Sequence, residues 1–312
     1  KGKGFDRMDD EVTYTASMDG KIEMQNDRIV VLPVHEVSGN AELAEGNIDF
    51  RGDIVIHGNV ESGVSIRATG SITIDGVAEA CMLEAGKDII LRGGMLGGNK
   101  ASVKTKGAIT AKFFEFTNIL CEGDLQADVL MDCSVICHGQ IRLTGRKGSI
   151  IGGKVQAIRG LIATSLGNDA EKRTEIFVGA GIDVYSRLRV MEKKIEMTRE
   201  ELAKIEEGLE KFEILSKERG VSYTNDPRRT SLLRIKIKDS AMLASDEEEV
   251  RKLRILAESS RGACVSVIQE IYPGVIINMD ELKLALKNMA TGVEFYKLPD
   301  KIGTRPCSAG VE

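Results

Sequence analysis

The sequence predicts a mainly β protein with an α insertion: a three-sided, single-stranded β-helix of about 18 residues per coil, interrupted by a long antiparallel coiled-coil hairpin. A right-handed helix is expected, with a left-handed one as the alternative. Three observations carry this reading. A Gly followed by a small or polar residue and then Ile or Leu recurs through the first half of the chain. Apolar residues there also recur every six positions. After Val184 the apolar spacing changes to an alternation of three and four. Composition agrees: the 312 residues include 33 Gly and 5 Pro, no Trp, and 4% aromatics. Many Gly with few Pro suit tight turns between short strands, and so few aromatics disfavour a sugar- or base-stacking surface.

Residues 1–38 read as a leading β cap. Strands are expected at 12–16, 22–24 and 28–34, around turn signals at Met18-Asp19-Gly20-Lys21 and Gln25-Asn26-Asp27.

Residues 39–185 read as the β-helix. The glycine register runs Gly52, Gly70, Gly86, Gly107, Gly123, Gly139, Gly160 and Gly181, which is 129 residues over seven intervals, about 18 each. A second register, a few residues before each Gly, runs Ile66, Leu83, Val103, Cys121, Cys137, Ala157 and Val178. Two ladders with one period mean stacked coils. Ile48, Ile54, Val60, Ile66, Ile72 and Ala78 are six apart, which fits three short strands per coil with one face inward. Ile54, Ile72, Ile89, Ile109, Leu125 and Ile141 are expected in one buried ladder. Residues 93–98 and 144–149 lengthen two coils and are expected to bulge as corner loops.

Residues 186–261 read as the hairpin. Leu188, Met191, Ile195, Thr198, Leu202, Ile205, Leu209 and Phe212 form an a/d seam. Gly220 is a stop signal, and Asp226-Pro227 is an N-cap followed by Pro at the first helical position. The second helix offers two registers, Leu233, Ile237 and Ala244 against Leu243, Val250 and Ala257. A stutter near Ser245 is therefore expected, with a break at the capping box from Ser245 to Glu248. Residues 262–312 return to β character and complete or cap the helix, with strands at 263–269, 275–278, 282–286 and 293–296 around the turn Tyr272-Pro273-Gly274.

Reactive chemistry is sparse. With a net charge of −5, the chain as a whole is no generic nucleic-acid or anionic-membrane binder. No apolar run reaches a membrane span, and no signal segment appears. Six Cys without CxxC spacing read as reduced thiols in a cytoplasmic protein. Cys121, Cys133, Cys137 and His138 invite a metal reading, but Cys121 and Cys137 fall on the inward ladder, where a small apolar side chain suffices. His35 and His57 read as strand or surface residues. Asp49, Asp53 and Asp75 could serve a β-helix carbohydrate-active enzyme, yet their spacing is that of ordinary solenoid surface. No catalytic, cofactor-binding or metal residue is expected. One charge asymmetry remains: Arg219, Arg228, Arg229, Arg234, Lys236 and Lys238 face Asp226 alone, a net of +5 in an acidic chain. Arg219, Arg228, Arg229 and Arg234 are the partner-binding candidates, suited to an acidic protein surface or a phosphate backbone.

Residues 46–54 (Gly-Asn-Ile-Asp-Phe-Arg-Gly-Asp-Ile), 148–153 (Gly-Ser-Ile-Ile-Gly-Gly), the helical hairpin and 271–275 (Ile-Tyr-Pro-Gly-Val) together resemble the flagellar assembly protein A (FapA) family. The resemblance covers nearly the whole chain in order. It implies a β-solenoid of the kind also found in the septum-site inhibitor MinC and in bactofilins. It also implies a non-enzymatic bacterial cytoplasmic role and, for some members, a link to flagellar assembly and polar localisation. No catalytic residue is carried over. The expected function is a scaffold or adaptor binding protein partners, with a homo-oligomer as a further expectation; no nucleic acid and no membrane insertion are expected. A polymerising bactofilin-like protein and a carbohydrate-active β-helix enzyme are the alternatives.

Overall fold

Strands of two to eleven residues follow one another along the chain, and most pair in parallel with a strand one coil earlier. The result is a mostly β protein, a β-solenoid of about eight turns with two helices inserted. The computed structural model describes residues 5–7, 14–17, 20–25, 28–143, 145, 147–220, 222, 224 and 226–308. The chain divides into two compact units, Ala180–Ser259 and the remainder.

Three of the inward ladders trace the solenoid core from coil to coil. The first runs Ile54, Ile72, Ile89, Ile109, Leu125, Ile141, Leu161 and Val265. The second runs Ile48, Ile66, Leu83, Val103, Ile119, Val135, Val155, Ile176 and Ile277. The third runs Ala41, Val60, Ala78, Met95, Phe114, Leu130, Ile150, Leu166 and Ile271. Ile48, Ile54, Val60, Ile66, Ile72 and Ala78 thus visit the three ladders in turn. The six expected members of the first ladder are fully buried. Each buried Ile or Leu stabilises by roughly 1.5–3 kcal/mol relative to exposure, which makes stacking of like residues the main source of order along the axis.

The structure corrects several expectations. Ile66, Leu83 and Val103 stack with Ile119 and Val135, whereas Cys121, Cys137, Ala157 and Val178 stack with Ala68, Ala85 and Thr105, two residues further along the same strands. Both rows point inward, so one apparent register was two. The glycine register ends at Gly160, because Gly181 opens a helix and Val265 takes the next rung. Residues 93–98 form no corner loop: Met95–Thr105 is one strand, and its extra residues bulge between Leu96 and Ala101. Gly145 and Lys147 do lie between the strands Ile141–Leu143 and Ser149–Ile151, while Thr144 and Arg146 fall outside the described residues. At the leading end, Lys21–Gln25 and Arg28–Leu32 form an antiparallel pair, and Val34–Val37 already pairs with Asp53–Ile56. The turn positions 18, 19, 26 and 27 fall outside the described residues.

Close backbone approach explains the corner glycines. The Gly70 N–H donates to the Gly52 carbonyl at 2.8 Å, and a Cβ on Gly70 would sit 2.7 Å from that oxygen and closer still to Asp53 Oδ1. At several corners an Asn or Asp one or two residues after the glycine clamps the next coil. Asp53 Oδ1 accepts from the Ser71 N–H at 2.7 Å, Asn59 Oδ1 from Val77 at 2.8 Å, Asp88 Oδ1 from Ala108 at 2.7 Å and Asp124 Oδ1 from Gln140 at 2.7 Å. Such corners satisfy amides that the strand ladders leave unpaired.

The helices enter at one corner. Elsewhere three residues connect one inward row to the next, as 138–140 do between Cys137 and Ile141. After Val178 the same step takes residues 179–264. Beyond it the strands reverse. Cys264–Ile271 and Val275–Met279 still pair in parallel with the coil before, but Leu282–Ala285, Ala290–Lys297 and Ile302–Pro306 add antiparallel strands that close this end.

Candidate functional site

The inserted helices are α1 (Gly181–Arg219) and α2 (Pro227–Ser259), about 58 Å and 50 Å long at ~1.5 Å per residue. Ion pairs fix an antiparallel arrangement: Arg187 with Glu249, Glu192 with Arg254, Lys194 with Asp246, Arg199 with Glu247 and Glu206 with Lys236. On α1 the less exposed positions are the expected seam, with Met191, Ile195 and Thr198 buried. Gly220 stops the helix in the left-handed conformation at φ 62°.

On α2 the expected stutter is absent. The helix is continuous through Ser245 to Glu248, and Ile237 is 71% exposed. Its inward positions are Arg229, Leu232, Lys236, Asp239, Leu243, Asp246, Val250, Leu253 and Ala257, one unbroken alternation of three and four. Charged residues therefore occupy part of the seam. Asp246, buried, forms an ion pair with Lys194 Nζ at 2.7 Å, beside the level where the Thr198 hydroxyl donates back to the Lys194 carbonyl at 3.0 Å.

The four candidate arginines gather near the connection between the helices without forming one pocket. Arg219 ends α1 and is exposed. Arg228 is 82% exposed and pairs with Asp226 at 3.3 Å. Asp226 also caps α2, accepting from the Arg228 backbone N–H at 2.8 Å, and this bond, followed by the Arg228 side chain, holds its carboxyl below the usual range. Arg229 is half-buried on the seam, beside Phe212, Glu213 and Lys217, and Arg234 is exposed. Pairing of Lys236 with Glu206 at 2.8 Å reduces the net charge read from the linear sequence.

On the solenoid, the groups that suggested chemistry are engaged elsewhere. Asp49 pairs with Arg67 at 3.5 Å, Asp53 clamps a corner, and Asp75 binds His57 Nδ1 at 2.9 Å and Arg92 at 3.2 Å. Each of these partners lies on an adjacent coil. His57, expected as a strand or surface residue, is about half exposed and belongs to this His–Asp–Arg stack. His35 lies 5.5 Å from the Phe50 ring. Cys121 and Cys137 are stacked partners on adjacent coils, donating to the Gly107 and Gly123 carbonyls at 3.3 and 3.2 Å. Hydrogen bonding with the neighbouring free Cys121 thiol, then burial, pushes Cys137 up, and the same interaction draws Cys121 down. Burial pushes Cys133 up to about 11 and Cys81 up to about 12. No group of three or more His, Cys, Asp or Glu suited to a metal exists among the described residues. Sequence reasoning missed the polar cluster at the closing strands, where Glu294 accepts from Ser266 Oγ at 3.1 Å and from Arg305 Nε at 2.6 Å. Its members are far apart in the chain and carry no common motif.

Among the described residues no helix is long and apolar enough to cross a membrane. A family model described as the Flagellar Assembly Protein A beta solenoid domain matches residues 33–302. No curated protein and no solved structure matches.

Proposed function

Because the chain belongs to the Flagellar Assembly Protein A β-solenoid family, we propose that it is a non-enzymatic scaffold acting in flagellar assembly or polar organisation in the bacterial cytoplasm. The solenoid holds the helical arm, read as an antiparallel coiled coil, and the arm contacts a protein partner. The observation that carries this is the charge at the arm's connection: from Pro227 to Lys238 there are five Lys or Arg and no acid, with Arg228 and Arg234 exposed. Arg219, Arg228, Arg229 and Arg234 are assigned to an acidic protein surface. In the same reading the three ladders and offsets near 18 residues belong to a three-sided, right-handed β-helix, built from a cap over 1–38, a helix over 39–185 and a return over 262–312, with the hairpin at 186–261.

End-to-end polymerisation of the bactofilin kind is less well supported. Stacking of further coils needs an open parallel edge, whereas the C-terminal strands reverse and carry Lys283, Arg305 and Pro306. A carbohydrate-active enzyme lacks support from Asp49, Asp53 and Asp75, each bound to its own partner.

The test replaces residues 180–263 by a short Gly-rich corner and follows both folding and flagellation in cells lacking the native gene. The solenoid is expected to fold, since in a repeat architecture each coil contacts its neighbours, and flagellation is expected to fail. Arg228→Glu with Arg234→Glu, both exposed, should keep the fold and weaken partner binding in a salt-dependent way. Full function in the arm-less chain would place the activity on the solenoid surface.

A further inference from the structure

The two flanks of the helical pair carry opposite charge, and both leave apolar side chains in water. On one flank the pairs Glu192–Arg254 and Arg199–Glu247, each at 2.6 Å, border a groove of about 920 Å³. Its floor is Ile195 and Val250, with Ile255, 53% exposed, at its edge. Its rim includes Glu196, Glu200 and Glu258, which have no ion pair among the described residues, and Arg251, which pairs with Glu248, so five Glu and three Arg line it and the flank is net acidic. The opposite flank is marked by Arg187–Glu249 and Lys194–Asp246. One turn from those residues project Val190 (69% exposed), Met197 (55%) and Met242 (39%). Lys204 and Lys238 continue that flank at helical spacing.

We propose that these flanks dock on one another between copies of this chain, the arms lying side by side and parallel. Val190 and Met197 of one copy cover the Ile195–Val250 groove of the next, with Lys204 and Lys238 facing its acidic side. A second copy fits for two reasons. Groove and apolar projections sit at the same height on α1, 190–200, so a parallel neighbour is in register without a shift. An acidic partner would satisfy the lysine flank and leave the groove open to water, whereas a second arm covers both. Because each contact joins unlike flanks, it is heterologous, and a copy with one neighbour still offers both kinds of surface. This inference is independent of the arginines at the helix connection.

Sedimentation velocity on the full chain tests it. Wild type should associate past the dimer as concentration rises, less so at high salt, where exposed charges are screened. Glu196→Lys with Glu200→Lys removes the acidic flank, and Lys204→Glu with Lys238→Glu the basic one. Each should weaken association at least about tenfold while circular dichroism shows helicity retained, all four sites being exposed. An equimolar mixture of the two should associate more tightly than either alone, since the intact flanks pair and the two reversed flanks, Lys facing Glu, are complementary again. Met197→Gln should weaken association without a change of charge. The proposal is overturned by a wild type that stays monomeric in low salt, by double variants that associate like wild type, or by a mixture no tighter than its components.

Discussion

Ile72 sits on the first inward ladder between Ile54 and Ile89, fully buried. Ile72→Ala removes three carbons, a transfer loss of about 2.4 kcal/mol at ~0.8 kcal/mol each. The coils above and below are held by their own backbone pairing and collapse little. A residual void of roughly 60 Å³ at ~24 cal/mol per Å³ then adds about 1.5 kcal/mol, for about 4 kcal/mol in all. Thr73 points the other way on the same strand and is half-buried, so Thr73→Ala should stay within about 0.5 kcal/mol. Denaturant-dependent hydrogen exchange, read on peptides covering Asp53–Ile56, Ile72–Ile74 and Ile89–Leu91, reports the solenoid separately from the helical unit. Ile72→Asp sharpens the test. Burial raises the pKa of the introduced carboxyl above its unfolded value, so its destabilisation is greatest at neutral pH and shrinks as pH falls toward the unfolded pKa. A loss under about 1 kcal/mol for Ile72→Ala, matching that of Thr73→Ala, would refute the ladder register.

Gly70→Ala forces a Cβ to within 2.7 Å of the Gly52 carbonyl oxygen; a drop in thermal midpoint is expected, and pairing it with Asp53→Ala should not restore stability, because the backbone clash remains. In the arm, Lys194→Met should lower helical stability by about 1–3 kcal/mol by leaving the buried Asp246 without its partner, whereas Asp246→Leu should be neutral or stabilising; equal losses in chemical denaturation would argue against a buried charge there. Thiol titration should show alkaline destabilisation. Folded Cys81 and Cys133 ionise near 12 and 11 against an ordinary 9.0, so their contribution is fully present below pH 9.0 and is lost as pH rises through those values. Cys81→Ala should flatten that loss, and an unchanged alkaline slope would count against burial of the thiol.

Much of the solenoid was legible because its glycines are forced by backbone contact and its inward ladder repeats Ile or Leu at a fixed offset from them. The second register was misread for a physical reason. Each strand buries two residues two positions apart, the larger in one row throughout (Ile66, Leu83, Val103, Ile119, Val135) and the smaller in the other (Ala68, Ala85, Thr105, Cys121, Cys137). With both rows inward and both a few residues before a glycine, an offset counted from the glycine does not distinguish one row from the other. The α2 seam was misread because Arg229, Lys236, Asp239 and Asp246 sit where apolar residues are expected, and two of their partners, Glu206 and Lys194, lie on α1. A pattern read on one helix cannot register charges satisfied by another. The basic run was visible in the sequence, but the pairing of Arg228 with Asp226 and of Lys236 with Glu206 depends on the turn and on the facing helix.

The entry of the helices at a corner, where other coils need three residues, separates two properties that most folds tie together. The solenoid requires of the inserted segment that it leave after Val178 and return before Val265; nothing in the ladders depends on what happens between. The arm can therefore be lengthened by whole heptads, shortened, or given a different charge pattern without disturbing a single rung, and coils can be added or lost without altering the arm. Recognition and scaffold length become independently variable in such a chain. Transplanting residues 179–264 into the corner at 138–140 would be a direct engineering use of that independence.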